Sequence, residues 1–227
     1  SELLLESVCG PRIFNMPASR LIEEGYLVPP NITILEVPSM EKVGNVYGNI
    51  YSNYITKNDT RNKMIIDSAK ILINKGRKVL ILVKYINHGK ILSQMLQDVP
   101  LFFVNGEVDA EKRKEVKQQF ENGDLKCLIA SSVYDIGVDI PCLDALILAG
   151  AGKSSVRAFQ RIGRVIRGFP CKKDSIVVYF FDNAKYLNKH SSIRISIYET
   201  ENKFNIKYLK FFKFNNTNQI NIINVSL

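Results

Sequence analysis

Between Ser154 and Arg167 the chain reads SSVRAFQRIGRVIR. At 100 degrees per residue, Arg157, Gln160, Arg164 and Arg167 fall within about 80 degrees of one another on a helix, with Arg161 beside them. Phe159, Ile162 and Ile166 take the opposite side. Like charges at these spacings repel by a few tenths of a kcal/mol per pair, and no carboxylate between Ala151 and Arg167 relieves them. Guanidinium forks match phosphate oxygens better than ammonium does. An arginine row on a rigid helix could therefore clamp a nucleoside triphosphate or a nucleic-acid backbone. A solvated basic face would carry the same pattern, and the residues alone leave both readings open.

A second string, Gly150-Ala151-Gly152-Lys153-Ser154, has the look of a phosphate-binding loop. The pattern GxxxxGK[ST] requires glycine five positions before Gly152, and Ile147 stands there, inside an apolar run that reads as a strand. The loop of backbone N–H groups cannot form on that template. No paired-carboxylate DExx sequence follows a strand either. The string is read instead as a link into the arginine helix, with Ser154 or Ser155 as its cap. Cys9, Cys127, Cys142 and Cys171 are widely spaced, form no CxxC pair, and have only His88 and His190 as further soft ligands, so they read as reduced, mostly buried thiols.

The elements that must position these groups are short and apolar. Lys78–Val83, Leu101–Val104, Leu125–Ala130, Ala145–Leu148 and Ser175–Phe181 are runs rich in β-branched and aromatic residues. Between them lie stretches of helical period. Ile65, Ala69, Leu72 and Ile73 share a face within Thr60–Lys75, and Arg113, Val116 and Phe120 share one within Asp109–Asn122. Asp109 is placed to cap the second helix, Glu111 suits its first turn, and Asn122-Gly123 stops it. Continuous apolar strands alternating with helices predict a doubly wound α/β domain, a parallel sheet covered on both faces.

The flanks differ. Residues 1 to 40 read as an extended piece, a short helix around Leu21–Glu24 stopped by Gly25, a Pro29-Pro30 break, and an edge or first strand. From Tyr198 the tail alternates roughly with period two, and Lys203, Lys207, Lys210 and Lys213 interleave with Phe204, Tyr208, Phe211, Phe212 and Phe214. The expectation is one or two hairpins or an addition to the sheet edge. Its aromatics could stack on nucleic acid or could face the core.

The 227 residues carry 31 Lys+Arg against 22 Asp+Glu, a formal net charge of +9, with 46% hydrophobic residues. A disordered or collagen-like chain is excluded, and the basic surplus fits either a polyanionic partner or a diffuse, lysine-rich solvent face. No run approaches the roughly 18 to 20 apolar residues of a membrane span. The amino terminus SELLLESVCG has no basic lead before its apolar run, which predicts a soluble, cytoplasmic chain with no membrane partner.

Four segments in order carry a resemblance. QRIGRVIR (Gln160–Arg167) matches the QxxGRxxR element, motif VI, of superfamily 2 helicases, and LIASSVYDIGVDIP (Leu128–Pro141) resembles their motif V. VLILV with Lys84, Tyr85 and His88-Gly89 resembles motif IV, VNGEVDAEKR resembles the segment after it, and HSSIRISIY (His190–Tyr198) is a trailing segment of similar kind. The chain resembles the second, C-terminal RecA-like domain of a DEAD/DEAH-type superfamily 2 helicase, of the phage or bacterial repair and fork-remodelling kind. Gln160 in place of histidine argues against the DEAD-box RNA class.

That resemblance implies an ATP-dependent DNA helicase or translocase, active in repair, recombination or fork remodelling, whose ATP sits with Mg2+ between two lobes. Arg164 and Arg167 match the arginine fingers. Gln160, Gly137 and Asp139 match positions near the nucleotide, and Lys84, Gly106, Ser131 and Ser132 match positions that face the nucleic-acid strand. The first RecA-like lobe of the same protein would supply the phosphate loop and hold the magnesium, so this chain alone is expected not to hydrolyse ATP. The implied division is a connector or end of the first lobe (1–40), the RecA-like domain (41–198) and a β extension (199–227). A monomer acting on single-stranded or branched DNA, in the cytoplasm of a bacterium or phage-infected host, is expected. A restriction-enzyme translocase, an RNA helicase, or a non-catalytic nucleic-acid-binding module are the alternatives.

Overall fold

A computed structural model describes residues 16–39, 46–131, 140, 142–150, 162–163, 165–170, 172–212 and 221–225. The elements run α1 (Ala18–Glu23), β1 (Pro30–Val37), α2 (Tyr47–Tyr51, continued by a π-helical turn Ser52–Thr56), α3 (Asp59–Asn74), β2 (Val79–Val83) and α4 (Ile86–Met95). There follow β3 (Leu101–Val104), α5 (Ala110–Asn122), β4 (Cys127–Ser131), β5 (Ala145–Leu148), β6 (Ser175–Asp182), α6 (Leu187–Tyr198), β7 (Asn205–Phe212) and β8 (Asn221–Val225). The strands form one sheet in the order β3-β4-β2-β5-β6-β1-β7-β8, parallel throughout except for the antiparallel pair β7 and β8.

Period-two alternation splits the core into two layers. Leu80, Leu82, Leu128, Ala130, Leu146, Leu148, Val177 and Tyr179 face one side, against Val116 and Phe120 of α5, Ile195 and Tyr198 of α6, and Ile162, Val165 and Ile166. Val79, Ile81, Val83, Ile129, Ala145, Ile147, Val178 and Phe180 face the other, against Met64, Ile65, Ala69 and Leu72 of α3 and Leu92 of α4. Each fully buried Ile, Leu or Phe contributes roughly 1.5–3 kcal/mol of transfer free energy. The doubly wound parallel sheet expected from the strand runs is the architecture observed.

Local signals act where they were expected. The Asp109 carboxylate accepts from the Lys112 amide at 2.7 Å, and Gly123 ends α5 at φ 90°. Asn58, not singled out in the sequence, caps α3 by accepting from the Arg61 amide. Gly25, at φ 80°, follows α1. Burial pushes the Cys127 thiol up to about 12, which suits a core residue rather than a reactive one.

Both flanks join the sheet. β1, expected as an edge or first strand, lies inside it between β6 and β7, paired in parallel with both. Its alternation, PNITILEV, buries Ile32, Ile34, Leu35 and Val37, and Pro30 opens the strand, where a missing N–H does least harm. The tail adds β7 to β1 and turns back as β8. Phe204 is buried and Tyr208 packs on the core, while Lys203 and Lys207 are exposed. Among the described residues, no helix is long and apolar enough to cross a membrane.

Candidate functional site

Parallel strands bring their carboxyl ends to one edge, where open α/β sheets hold ligands. Lys84 follows β2, Gly106 lies in the turn after β3, and Ser131 ends β4. The three strands are neighbours, with Val83 opposite Ser131 and Val104 opposite Ala130. Ser131 is 1% exposed, and its hydroxyl has no hydrogen-bond partner among the described residues. The turn carrying Gly106 is shaped by Asn105, whose carboxamide oxygen accepts from the Glu107 amide at 2.8 Å. Arg113 reaches back from α5, its guanidinium donating to the Asn105 carbonyl at 3.4 Å.

The ammonium of Lys84 lies over three tyrosine rings, at 4.9 Å from the Tyr51 and Tyr85 centroids and 5.7 Å from Tyr47. Cation–π contacts of this kind hold the charge at the edge rather than letting it roam. Next to β2 on the other side, β5 ends and Gly150 turns. The Gly150 amide donates to the Leu82 carbonyl at 2.9 Å, and a Cβ on Gly150 would stand 2.9 Å from the Lys84 nitrogen. Ile147 lies within β5, paired with Ile81 and Val178, so the strand continues through the position where a phosphate loop would need its first glycine.

Beneath this edge a buried guanidinium ties three elements together. Arg61 of α3 is 1% exposed; its Nε donates to Asp182 at 2.7 Å, and a terminal nitrogen donates to the Ala149 carbonyl at 2.8 Å. It also stacks on Phe180, 5.0 Å from the centroid. Burial raises the Asp182 pKa and Arg61 works against that rise. The carbonyl held by Arg61 belongs to the residue immediately before Gly150, so the chain is fixed where it leaves β5.

Arg167 lies elsewhere. Its backbone bridges Leu27, and the Val28 amide donates to the Ile166 carbonyl at 2.8 Å. Residues 27–29 lead into the amino end of β1, where the Pro29 carbonyl accepts from Ser175, the first residue of β6. Arg167 is thus exposed beside the amino ends of β1 and β6, at the sheet edge opposite Lys84, Gly106 and Ser131. Ile162, Gly163 and Val165 are helical. The Lys172 ammonium donates to the carbonyls of Leu143 and Val165, closing that helix end, and burial lowers its pKa.

Of the residues expected to act, Lys84, Gly106 and Ser131 come together and Arg167 stands apart from them. Gln160, Gly137, Asp139, Ser132 and Arg164 lie outside the described residues. Two features escaped the sequence reading. Tyr47, Tyr51 and Tyr54 recur at helical spacing, a signal that was available, and Tyr85 and Tyr186 complete their cluster. Arg61 and Asp182 had no sequence signal, because only the strand crossovers bring them together.

The model of the helicase conserved C-terminal domain matches residues 60–168. The ATP-dependent DNA helicase uvsW of Enterobacteria phage T4 is 30% identical over 211 residues, 82% of this chain and 42% of that protein. The crystal structure of T4 UvsW superposes with a TM-score of 0.65 at 29% identity, covering 81% of this chain and 41% of the other. The XPB helicase/translocase subunit of the TFIIH basal transcription factor complex of Trypanosoma brucei brucei is 33% identical over 106 residues, 46% of this chain and 11% of that protein. The chain spans less than half the length of these relatives.

Proposed function

Because this chain belongs with the helicase conserved C-terminal domains, as the second RecA-like lobe of a superfamily 2 helicase, we propose that it is the C-terminal motor lobe of an ATP-dependent DNA helicase or translocase serving repair, recombination or fork remodelling. The observation that carries this reading is the separation of two sets of residues on one rigid sheet. Lys84, Gly106 and Ser131 share the carboxyl edge, while Arg167 is held by Leu27 and Val28 at the amino edge. A motor needs this separation, because one lobe must grip a strand while the same lobe senses nucleotide at another surface.

In this reading Lys84, the Gly106 turn, Ser131 and Ser132 contact phosphates of one DNA strand through ammonium, backbone N–H and hydroxyl. Arg164 and Arg167 supply positive charge to the phosphates of ATP, with Gln160, Gly137 and Asp139 placed toward the nucleotide. Arg167 fits that role chemically: it is an exposed guanidinium whose backbone is fixed. ATP supplies the free energy for opening and closing the two lobes, and its magnesium is assigned to carboxylates of the first lobe, the chain's principal partner. Arginine fingers are worth about 10³–10⁵ in rate in related phosphoryl-transfer systems.

The test uses the protein carrying both lobes. Arg167→Ala and Arg164→Ala are expected to lower ATP turnover by about a hundredfold or more while oligonucleotide affinity, measured by anisotropy, changes by less than about twofold. An equal loss of DNA affinity would place the arginines on the strand and overturn the assignment. The 227-residue chain alone is expected to show no ATP turnover, and turnover abolished by Lys153→Ala would contradict this.

A further inference from the structure

Lys84 does not stand alone at the carboxyl edge. The ring of Tyr47 is 6.4 Å from that of Tyr186, Tyr51 is 5.0 Å from Tyr85, and the Lys84 ammonium lies over Tyr47, Tyr51 and Tyr85. The Lys185 ammonium sits 5.3 Å from the Tyr186 centroid. Tyr51 is 1% exposed and forms the floor, whereas Tyr85 and Tyr186 are 45% and 44% exposed. The arc is assembled from three places at one sheet edge: the helix after β1, the residue pair after β2, and the turn after β6.

Charge and backbone both mark this arc as a ligand surface. The contributing segments, residues 46–57, 84–97 and 183–198, contain lysines and no aspartate or glutamate. Tyr186 has φ 65° and ψ −38°, and among the described residues it alone has positive φ without being glycine. Glycine, asparagine or aspartate would hold that backbone at lower cost. A bulky ring kept in a strained position and left nearly half exposed points to use of the ring itself.

We propose that Tyr85, Tyr47 and Tyr186 form a stacking platform for unpaired bases of a single nucleic-acid strand, with Lys84 and Lys185 on its phosphates. Tyrosine π-faces accept any base, so the platform grips the strand without reading sequence, as a translocating lobe requires. It deepens the strand-binding reading above and rests on it: it adds base stacking to an edge otherwise assigned to phosphate contacts.

The chain has ten tyrosines and no tryptophan, so its emission reports tyrosine directly. Oligothymidylate titrated into the 227-residue chain is expected to quench that emission. Tyr85→Leu combined with Tyr186→Asn, the asparagine chosen because it tolerates positive φ, is expected to weaken oligothymidylate binding by about tenfold or more. Phenylalanine at both positions should keep affinity within about twofold of the original. An abasic strand of equal length has the phosphates without the bases, and the Leu/Asn variant should bind it as the unaltered chain does. Loss of affinity on the abasic strand too, or oligothymidylate binding unchanged by the Leu/Asn variant, overturns the platform. If binding depends on Lys84 but ignores the rings, strand contact at this edge stands and stacking falls. If the unaltered chain binds neither strand, the strand-binding reading itself falls and the platform with it.

Discussion

Leu27 and Arg167 are bridged backbone to backbone. The bridge is flanked by the Val28 amide donating to Ile166 at 2.8 Å and the Gly168 amide donating to Tyr26 at 3.4 Å. The segment ending in Arg167 is therefore held by a segment from the opposite flank of the sequence. That segment is itself clipped to the tail: the Glu201 carboxylate accepts from the Ser19 amide at 2.8 Å and the Ser19 hydroxyl at 2.7 Å. In the proposed role Arg167 needs a fixed base, and these two flanks would provide it.

Val28→Pro should test that base. Proline removes the donor to Ile166, and Leu27 is already extended, so the main local effect is one lost hydrogen bond, about 1–2 kcal/mol. In the two-lobed protein, ATP turnover is expected to fall more than DNA affinity. A variant equally stable and equally active would show that the bridge does not position Arg167.

Arg61 and Asp182 make the next test. Removing one member of a buried ion pair leaves the other charge uncompensated, at a cost of about 3–5 kcal/mol. Arg61→Met is expected to lower the urea midpoint strongly, and Arg61→Met with Asp182→Leu to recover most of the loss. If the double variant is as unstable as the single, the guanidinium's bond to the Ala149 carbonyl matters more than the pair.

Much of this fold was legible because the central strands are buried on both faces, which leaves uninterrupted apolar runs. Leu101–Val104 and Ala145–Leu148 were read with the bounds that the structure has. α4 was not read as a helix, since INHGKILSQM has a glycine in its first half. The structure supplies the reason: a Cβ at Gly89 would stand 2.4 Å from the Phe103 ring, so the glycine serves packing rather than a turn. β1 was expected as an edge or first strand after the Pro29-Pro30 break, and only its pairing on both sides reveals an inner strand. Lys84, Gly106 and Ser131 were grouped through the resemblance to helicase motifs, and each proves to follow or end a strand at one sheet edge. Tyr47, Tyr51 and Tyr54 carry a local signal in their helical spacing, but their meeting with Tyr85 and Tyr186, like the Arg61–Asp182 pair, depends on chain crossovers that leave no trace in local pattern.

Two glycines should respond in opposite ways to alanine. At Gly150 the new Cβ meets backbone, 2.9 Å from the Lys84 nitrogen and 3.3 Å from the Val83 carbonyl carbon. Backbone cannot swing aside, so Gly150→Ala is expected to cost about 1–3 kcal/mol and to displace Lys84, weakening strand binding. At Gly163, which is helical, a Cβ meets nothing within 4 Å. Gly163→Ala is expected to raise stability by up to about 1 kcal/mol. Thermal melts of the two variants decide the matter, and a stabilised Gly150→Ala would mean that the β2 and β5 ends are not in contact in solution.

His88 sets a pH limit on the whole lobe. It is fully buried in α4, with Nε2 2.9 Å from the Asn62 carboxamide oxygen. Asn62 Nδ2 donates to the Thr56 carbonyl at 2.9 Å, which fixes the carboxamide orientation and makes His88 Nε2 the donor. The neutral imidazole is thus the form built into the core. Burial first, and the nearby Arg61 charge second, bring its pKa down to about 3. In the unfolded chain an ordinary histidine takes up its proton near pH 6.5, so between pH 6.5 and about 3 the unfolded state binds more protons. Stability from this group is complete above pH 6.5 and is lost as pH falls through that window. At pH 4.5 the expected loss is about 2–3 kcal/mol. Urea midpoints at pH 7 and pH 4.5 should differ accordingly, and His88→Leu, though less stable at pH 7 because the Asn62 carboxamide oxygen loses this donor, should show a smaller difference. An unchanged pH dependence in that variant would mean that other groups account for the acid lability.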